Sequence, residues 1–333
     1  MTKGTKAFRI IISVLVVLTM LVSTYFIFGL IYIGKTFVFT EDYGIYVDGE
    51  LVTRSNKGDL LGDGTVSYDD YENLLTFTNA VIENDYVIVY SLVDLKIELV
   101  GENKFICKDG ESAYAIYASD GILRKDVTFE GDGYLTIEFQ NVSRDGIAIV
   151  ADDLWIGADI NITTPDCSEI SNAIICTSSL SVRSESCVKI NNGAARSSTA
   201  ISVDGNATIE KGSSIEINVR PGAQDTCNGI LVEGELTLGR DSSLKVSVGD
   251  ENAENSNCIS VSGLLSLGKR SAITASAKKA NVIECYGTIV LSESATVSGE
   301  GTSIFCSGAV INEGAAVNAE IDALGGVHNK AKN

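Results

Sequence analysis

Histidine is nearly missing from this chain: His328 is the only one in 333 residues. Mechanisms that use histidine as a base, as the activator of a nucleophile or as a metal ligand are close to excluded. Proline is almost as scarce, with only Pro165 and Pro221, so few positions forbid backbone pairing. The eight cysteines never stand in C-x-x-C spacing, which argues against zinc. Basic charge is short as well: 25 Lys and Arg face 44 Asp and Glu, a formal charge of −19. Nucleic-acid binders normally show a basic face, so that class is set aside. With 45% hydrophobic residues and few low-complexity tracts, the chain is not of the disordered kind. Its length allows one large domain or two ordinary ones with ample material for a core.

What the chain does contain begins with an apolar run. The 25 residues between Arg9 and Lys35 carry no charge. As a helix they span roughly 38 Å, enough to cross a bilayer with some tilt. Lys3, Lys6 and Arg9 precede the run, and Glu41, Asp42, Asp48 and Glu50 follow it. The positive-inside rule then predicts a cytoplasmic N-terminus (1–9), a signal anchor (10–34) and an extracellular remainder. The alternative is a cleaved signal peptide, whose apolar core is usually shorter, although Ser23 and Gly29 keep cleavage and secretion open. Beyond residue 35, 21 basic residues meet all 44 acids, a net charge of −23 that favours solubility and repels anionic surfaces.

From about residue 115 the sequence repeats. Units anchored on Ile147, Ile174, Ile201, Ile230, Ile259, Ile283 and Ile304 are 27, 27, 29, 29, 24 and 21 residues apart, with an earlier, poorer unit at Ile116. Such periods indicate a solenoid. Four positions after the anchor stand Gly205, Gly234, Gly263, Gly287 and Gly308, where a corner with positive φ is expected. Apolar pairs with period two follow: Leu236/Leu238 and Leu244/Val246 in one unit, Leu265/Leu267 and Ile273/Ala275 in the next. Each pair predicts a short strand with one buried face. Three short strands per turn predict an all-β, right-handed parallel β-helix. Lys189, Glu216 and Lys245 fall on one outward column as a charge ladder, and both prolines fall in loops between coils. The domain reading is 36–110 for an N-terminal β segment with the first coils, 111–321 for the repeated coils and 322–333 for a flexible tail. A β-sandwich also offers short strands, but it does not predict columns at this period.

The cysteines first suggest disulfides in an exported chain. Cys176, Cys285 and Cys306 nevertheless fall on the inward column that Ile149, Val203, Val232 and Val261 fill elsewhere, as small core residues. Cys285 and Cys306 are stacked neighbours that bond only if the strand geometry permits. Cys167 and Cys227 read as loop residues, and a Cys227–Cys258 pair stays open. Asp59 to Asp70 matches an EF-hand loop only at Asp59, Asp63 and Gly64, and reads better as turns.

The same stretch carries a family resemblance. Gly44-Ile45-Tyr46-Val47-Asp48-Gly49, then Leu61-Gly62-Asp63-Gly64-Thr65-Val66-Ser67-Tyr68-Asp69, then Asn73 to Ala80, resembles the opening of a family of bacterial surface proteins found mainly in gut Firmicutes. The resemblance implies surface location and a right-handed β-helix of the pectin-lyase-like type. It covers about residues 44–80, and relatives with such coils include clostridial carbohydrate-binding proteins.

Catalysis is the weaker expectation. Asp152-Asp153 is similar to the paired aspartates of hydrolases with this fold, and paired carboxylates suit acid/base work. The hydrolases' Gly-His-Gly and Arg-x-Lys elements are absent, the pair stands at what reads as a one-residue corner insertion, and no acidic cluster recurs at one position on neighbouring coils. No catalytic residue, metal or cofactor is therefore assigned. Of 23 aromatics, 16 lie in residues 36–156. Trp155 and Tyr117, each between inward neighbours, are expected to face outward and stack on sugar rings, with Asp152 and Asp153 as hydrogen-bond partners. The leading expectation is a non-enzymatic surface adhesion, scaffold or carbohydrate-binding module, with an extracellular polysaccharide or a host or cell-wall glycan as partner. A polysaccharide lyase or glycoside hydrolase is the alternative.

Overall fold

Period-two apolar pairs bury one face only if neighbouring strands cover it, and stacked coils provide that cover. The computed structural model describes residues 41–249, 255–278, 281–300 and 303–329. The apolar run 10–34 lies outside the described residues, and none of the described residues forms a helix able to cross a membrane. Residues from Asp42 onward fold as one unit.

Each coil gives one strand to each of three sheets, of 12, 12 and 10 strands. Ser197–Val203, Ala207–Ile209 and Ser214–Val219 form one coil; Thr226–Val232, Leu236–Leu238 and Ser243–Val248 form the next. They stack in parallel register, with Ile201 on Ile230, Thr208 on Thr237 and Ile217 on Val246. The chain is a parallel β-solenoid. Two antiparallel hairpins open it, Asp42–Val47 with Glu50–Thr53 and Val66–Asp69 with Leu74–Thr78. Asp48 and Gly49 turn the first with φ of 52° and 79°, the two positive values a tight two-residue hairpin turn needs.

The core is the lumen. Ile116, Ile149, Ile174 and their successors to Ile304 form one buried column, and the paired residues of the other sheets close it. Each such side chain contributes roughly 1.5–3 kcal/mol by leaving water. In the first coils Phe77, Phe105 and Phe129 fill the interior, with the rings of Phe77 and Phe105 edge-to-face at 5.0 Å. The outward charge ladder forms as expected: Lys189 and Lys245 flank Glu216 in register, and Lys245 bonds Glu216 at 2.7 Å.

Four expectations change. In the first unit the anchor is Ile149, which pairs with Ile174, whereas Ile147 pairs with Asn172 and lies on the outward column. Isoleucines two residues apart share a face of a strand, so spacing alone mistook one for the other; here the strand pairing skips one residue between them. Cys176 accordingly aligns with Ala151, not Ile149, and the corner holding Asp152 and Asp153 is one residue shorter than its neighbour.

The second change concerns the glycine column. None of those glycines has positive φ; a Cβ on Gly234 would stand 2.6 Å from the Gly205 carbonyl oxygen, and one on Gly263 2.6 Å from that of Gly234. Close approach of successive corners selects glycine there. Left-handed backbone occurs instead at the next corner, at Glu185, Gly212, Asp241, Arg270 and Ser294.

Third, Cys227 is a buried strand residue, and no cysteine is in a disulfide, so neither the Cys227–Cys258 nor the Cys285–Cys306 pair is bonded. Burial pushes the Cys107 and Cys258 thiols up to about 12 and Cys285 to about 11. Fourth, the segment from residue 322, read as a tail, adds strands: Ile321–Ala323 and Val327–Asn329 pair with Ile304–Cys306 and Val310–Asn312.

Candidate functional site

Trp155 and Tyr117 occupy different sheets. Trp155 is half-buried on the second sheet, in register with Thr128 and Ser181, as its outward column predicted. Tyr117 lies on the first sheet between Tyr90 and Val150. Asp152 and Asp153 form the corner between the sheets and clip it to the next coil. Thr177 Oγ1 donates to Asp152 Oδ1 at 2.8 Å, and Ser179 Oγ to Asp153 Oδ1 at 2.6 Å.

A single acidic position recurs on three neighbouring coils, at Asp94, Asp126 and Asp153. The Asp126 N–H donates to Asp94 Oδ1 at 3.1 Å, and the Asp153 N–H to Asp126 Oδ1 at 3.2 Å. Unequal coil lengths hid this column in the sequence. Burial first, then the charges of Asp94, Asp153 and Asp152, hold the Asp126 carboxyl above the usual range. Among the described residues, no group of three or more His, Cys, Asp or Glu is arranged to hold a metal ion.

Tyr117 belongs to a larger arrangement. On the outer face of the first sheet, parallel register sets Tyr90 beneath Tyr117, and the antiparallel hairpin sets Tyr46 beneath Tyr90. The Tyr90 and Tyr117 rings stack at 5.9 Å and 27°, and Tyr46 leans on Tyr90 at 5.9 Å and 38°. Tyr114 meets Tyr117 edge-on at 5.1 Å and 70°, and Tyr86 meets Tyr114 at 6.2 Å and 75°. Tyr86, Val87, Tyr90, Tyr114 and Tyr117 line an open groove of about 360 Å³. Burial, followed by the neighbouring Tyr86 and Tyr117 phenols, raises the Tyr114 pKa, so its hydroxyl stays a donor at neutral pH.

The loop after Ser112–Ala118 returns over this face. Ser119 and Arg124 pair across it, the Ile122 and Leu123 N–H groups donate to Asp120 Oδ1 at 2.9 and 2.8 Å, and Lys125 bonds Asp120 at 2.7 Å. The Leu123 N–H, then Lys125, hold the Asp120 carboxyl well below its ordinary range. So fixed, the loop sets the Arg124 guanidinium carbon 4.7 Å from the Tyr117 ring centre, a cation–π contact. Ile122 and Leu123 stand exposed at the tip.

No family model, no curated protein and no solved structure matches this chain. The site therefore rests on its own geometry. Tyr86, Tyr90, Tyr114 and Arg124 were not singled out from the sequence. The usable signal was the repeat itself: with Val89 set against Ile116, Tyr90 and Tyr117 share a column.

Proposed function

We propose that this chain is a membrane-anchored, extracellular β-solenoid that binds carbohydrate without catalysis and serves in surface adhesion. The groove of Tyr86, Tyr90, Tyr114 and Tyr117 is its sugar site. The observation that carries this reading is the run of rings on a rigid sheet. Sugar rings offer apolar C–H faces that stack on aromatic faces, while their hydroxyls take hydrogen bonds from phenols. Ordering costs are small, because the strands already hold the rings in place. The apolar run 10–34 supplies the anchor, a right-handed, pectin-lyase-like winding supplies the scaffold, and a host or cell-wall glycan is the partner.

A glycan array probed with the full chain tests the reading. Retained glycans are expected, and the Tyr90→Ala/Tyr117→Ala double variant loses them while Trp155→Ala keeps them. Equal retention by the tyrosine variant would overturn the groove. The column of Asp94, Asp126 and Asp153 favours a second reading, a polysaccharide lyase or hydrolase. Size analysis of retained polysaccharides separates the two: intact chains support binding alone, and shortened products support cleavage.

A further inference from the structure

We infer that the tyrosine groove takes a saccharide carrying an anionic substituent, a carboxylate, sulfate or phosphate group, which pairs with Arg124. This rests on the sugar-binding reading above and goes further by fixing the class of sugar.

In a chain with 44 acidic residues, most guanidinium groups find a carboxylate. Arg144 bonds Asp145 at 2.9 Å, Arg196 bonds Asp225 at 2.7 Å, Arg220 bonds Asp166 at 2.9 Å and Arg270 bonds Asp241 at 2.6 Å. Arg124 has no carboxylate partner among the described residues. Its Nη1 is shielded from water and meets no acceptor, although the group stands beside the aromatic groove. With no carboxylate beside it, the half-buried Arg124 side chain keeps a formal charge that an oxyanion arriving at the groove can neutralise. The acid close to this face, Asp145, is already engaged by Arg144 and by the Ser112 hydroxyl at 2.8 Å. The loop that carries Arg124 is fixed by Asp120 and Ser119, so the cation is positioned before any ligand arrives. A planar guanidinium takes two oxygens of one oxyanion at once, which a neutral hydroxyl does not reproduce. The excess negative charge of the protein repels anions at long range, so the preference arises only where the anion reaches Arg124.

Titration calorimetry on the full chain in detergent micelles tests this with four oligosaccharides of equal length: uronate-bearing, sulfated, phosphodiester-linked and neutral. At least one charged member is expected to bind about tenfold more tightly than the neutral one or better, the gain of a charge-assisted hydrogen bond. The charged members also show which anion is preferred. Arg124→Gln should remove that preference, so that charged and neutral members bind alike, and Arg124→Lys should keep part of it. Raising NaCl from roughly 50 to 500 mM should weaken only the charged ligands. Equal wild-type affinities for charged and neutral members, or a preference that survives Arg124→Gln, would overturn the role of Arg124 and leave the sugar site standing. Absence of binding by all four would overturn both readings. Unchanged melting of the two Arg124 variants shows that the fold is intact.

Discussion

The two halves of the first sheet share one backbone and one inward column, yet their outer faces differ. Toward the N-terminus the outward column reads Tyr46, Tyr90, Tyr117, Val150 and Ile175; further along it reads Ser202, Leu231, Ser260, Glu284, Phe305 and Asp322, with one aromatic in six. A second outward column runs Tyr114 and Ile147, then Asn172, Thr199, Asn228 and Asn257. In the polar half, Asn172 Oδ1 accepts from the Thr199 N–H at 3.0 Å and Asn228 Oδ1 from the Asn257 N–H at 3.1 Å, bonds that serve stacking. The contrast shows that the solenoid needs only its lumen and corners. What faces outward is free to vary, and the tyrosine rings gather on the first coils.

The sharpest attack on this comparison is inward. Phe105→Ala in the aromatic half should cost about 3–5 kcal/mol and Leu236→Ala in the polar half about 2–5, because both empty a buried position. Chemical denaturation checks it; a cost confined to one half would show that the lumen is not shared support. Outward changes should separate the halves. Tyr90→Ala loses sugar binding and about 1 kcal/mol of ring stacking, whereas Ser202→Ala on the same column stays within about 0.5 kcal/mol and leaves binding intact. Matching effects at both positions would erase the distinction.

The smallest expected effect lies at the corner. The Asp126 carboxyl sits above its ordinary pKa when folded, so its charged form weighs against the fold. Its contribution is most favourable below the unfolded carboxylate value and is lost as pH rises through the folded one. Asp126→Asn keeps an acceptor for the Asp153 N–H and should raise the melting temperature slightly at pH 7, with the gain vanishing as pH falls through the carboxylate range. A gain that persisted at low pH would point to packing instead of charge.

The repeat was legible because burial repeats: Leu236/Leu238 and Leu265/Leu267 announce strands wherever they stand. Corners were legible only in part. Glycine was expected for its φ, whereas its neighbour's carbonyl selects it, and a sequence does not display an approach between residues 29 apart, as at Gly234 and Gly263. The site was half visible. Tyr117 faces out as its neighbours predicted, but Tyr90 arrives from an earlier coil, ahead of the recognisable repeat, where no isoleucine anchor gives the register. Arg124 was hidden because a lone arginine in a loop carries no pattern.

The reduced cysteines have a consequence beyond the core. Cys107, Cys176, Cys227, Cys258, Cys285 and Cys306 are all buried. A domain on the far side of a membrane usually leans on an oxidising folding apparatus. The described coils hold together without a disulfide, so neither a reducing nor an oxidising medium removes a covalent cross-link from them.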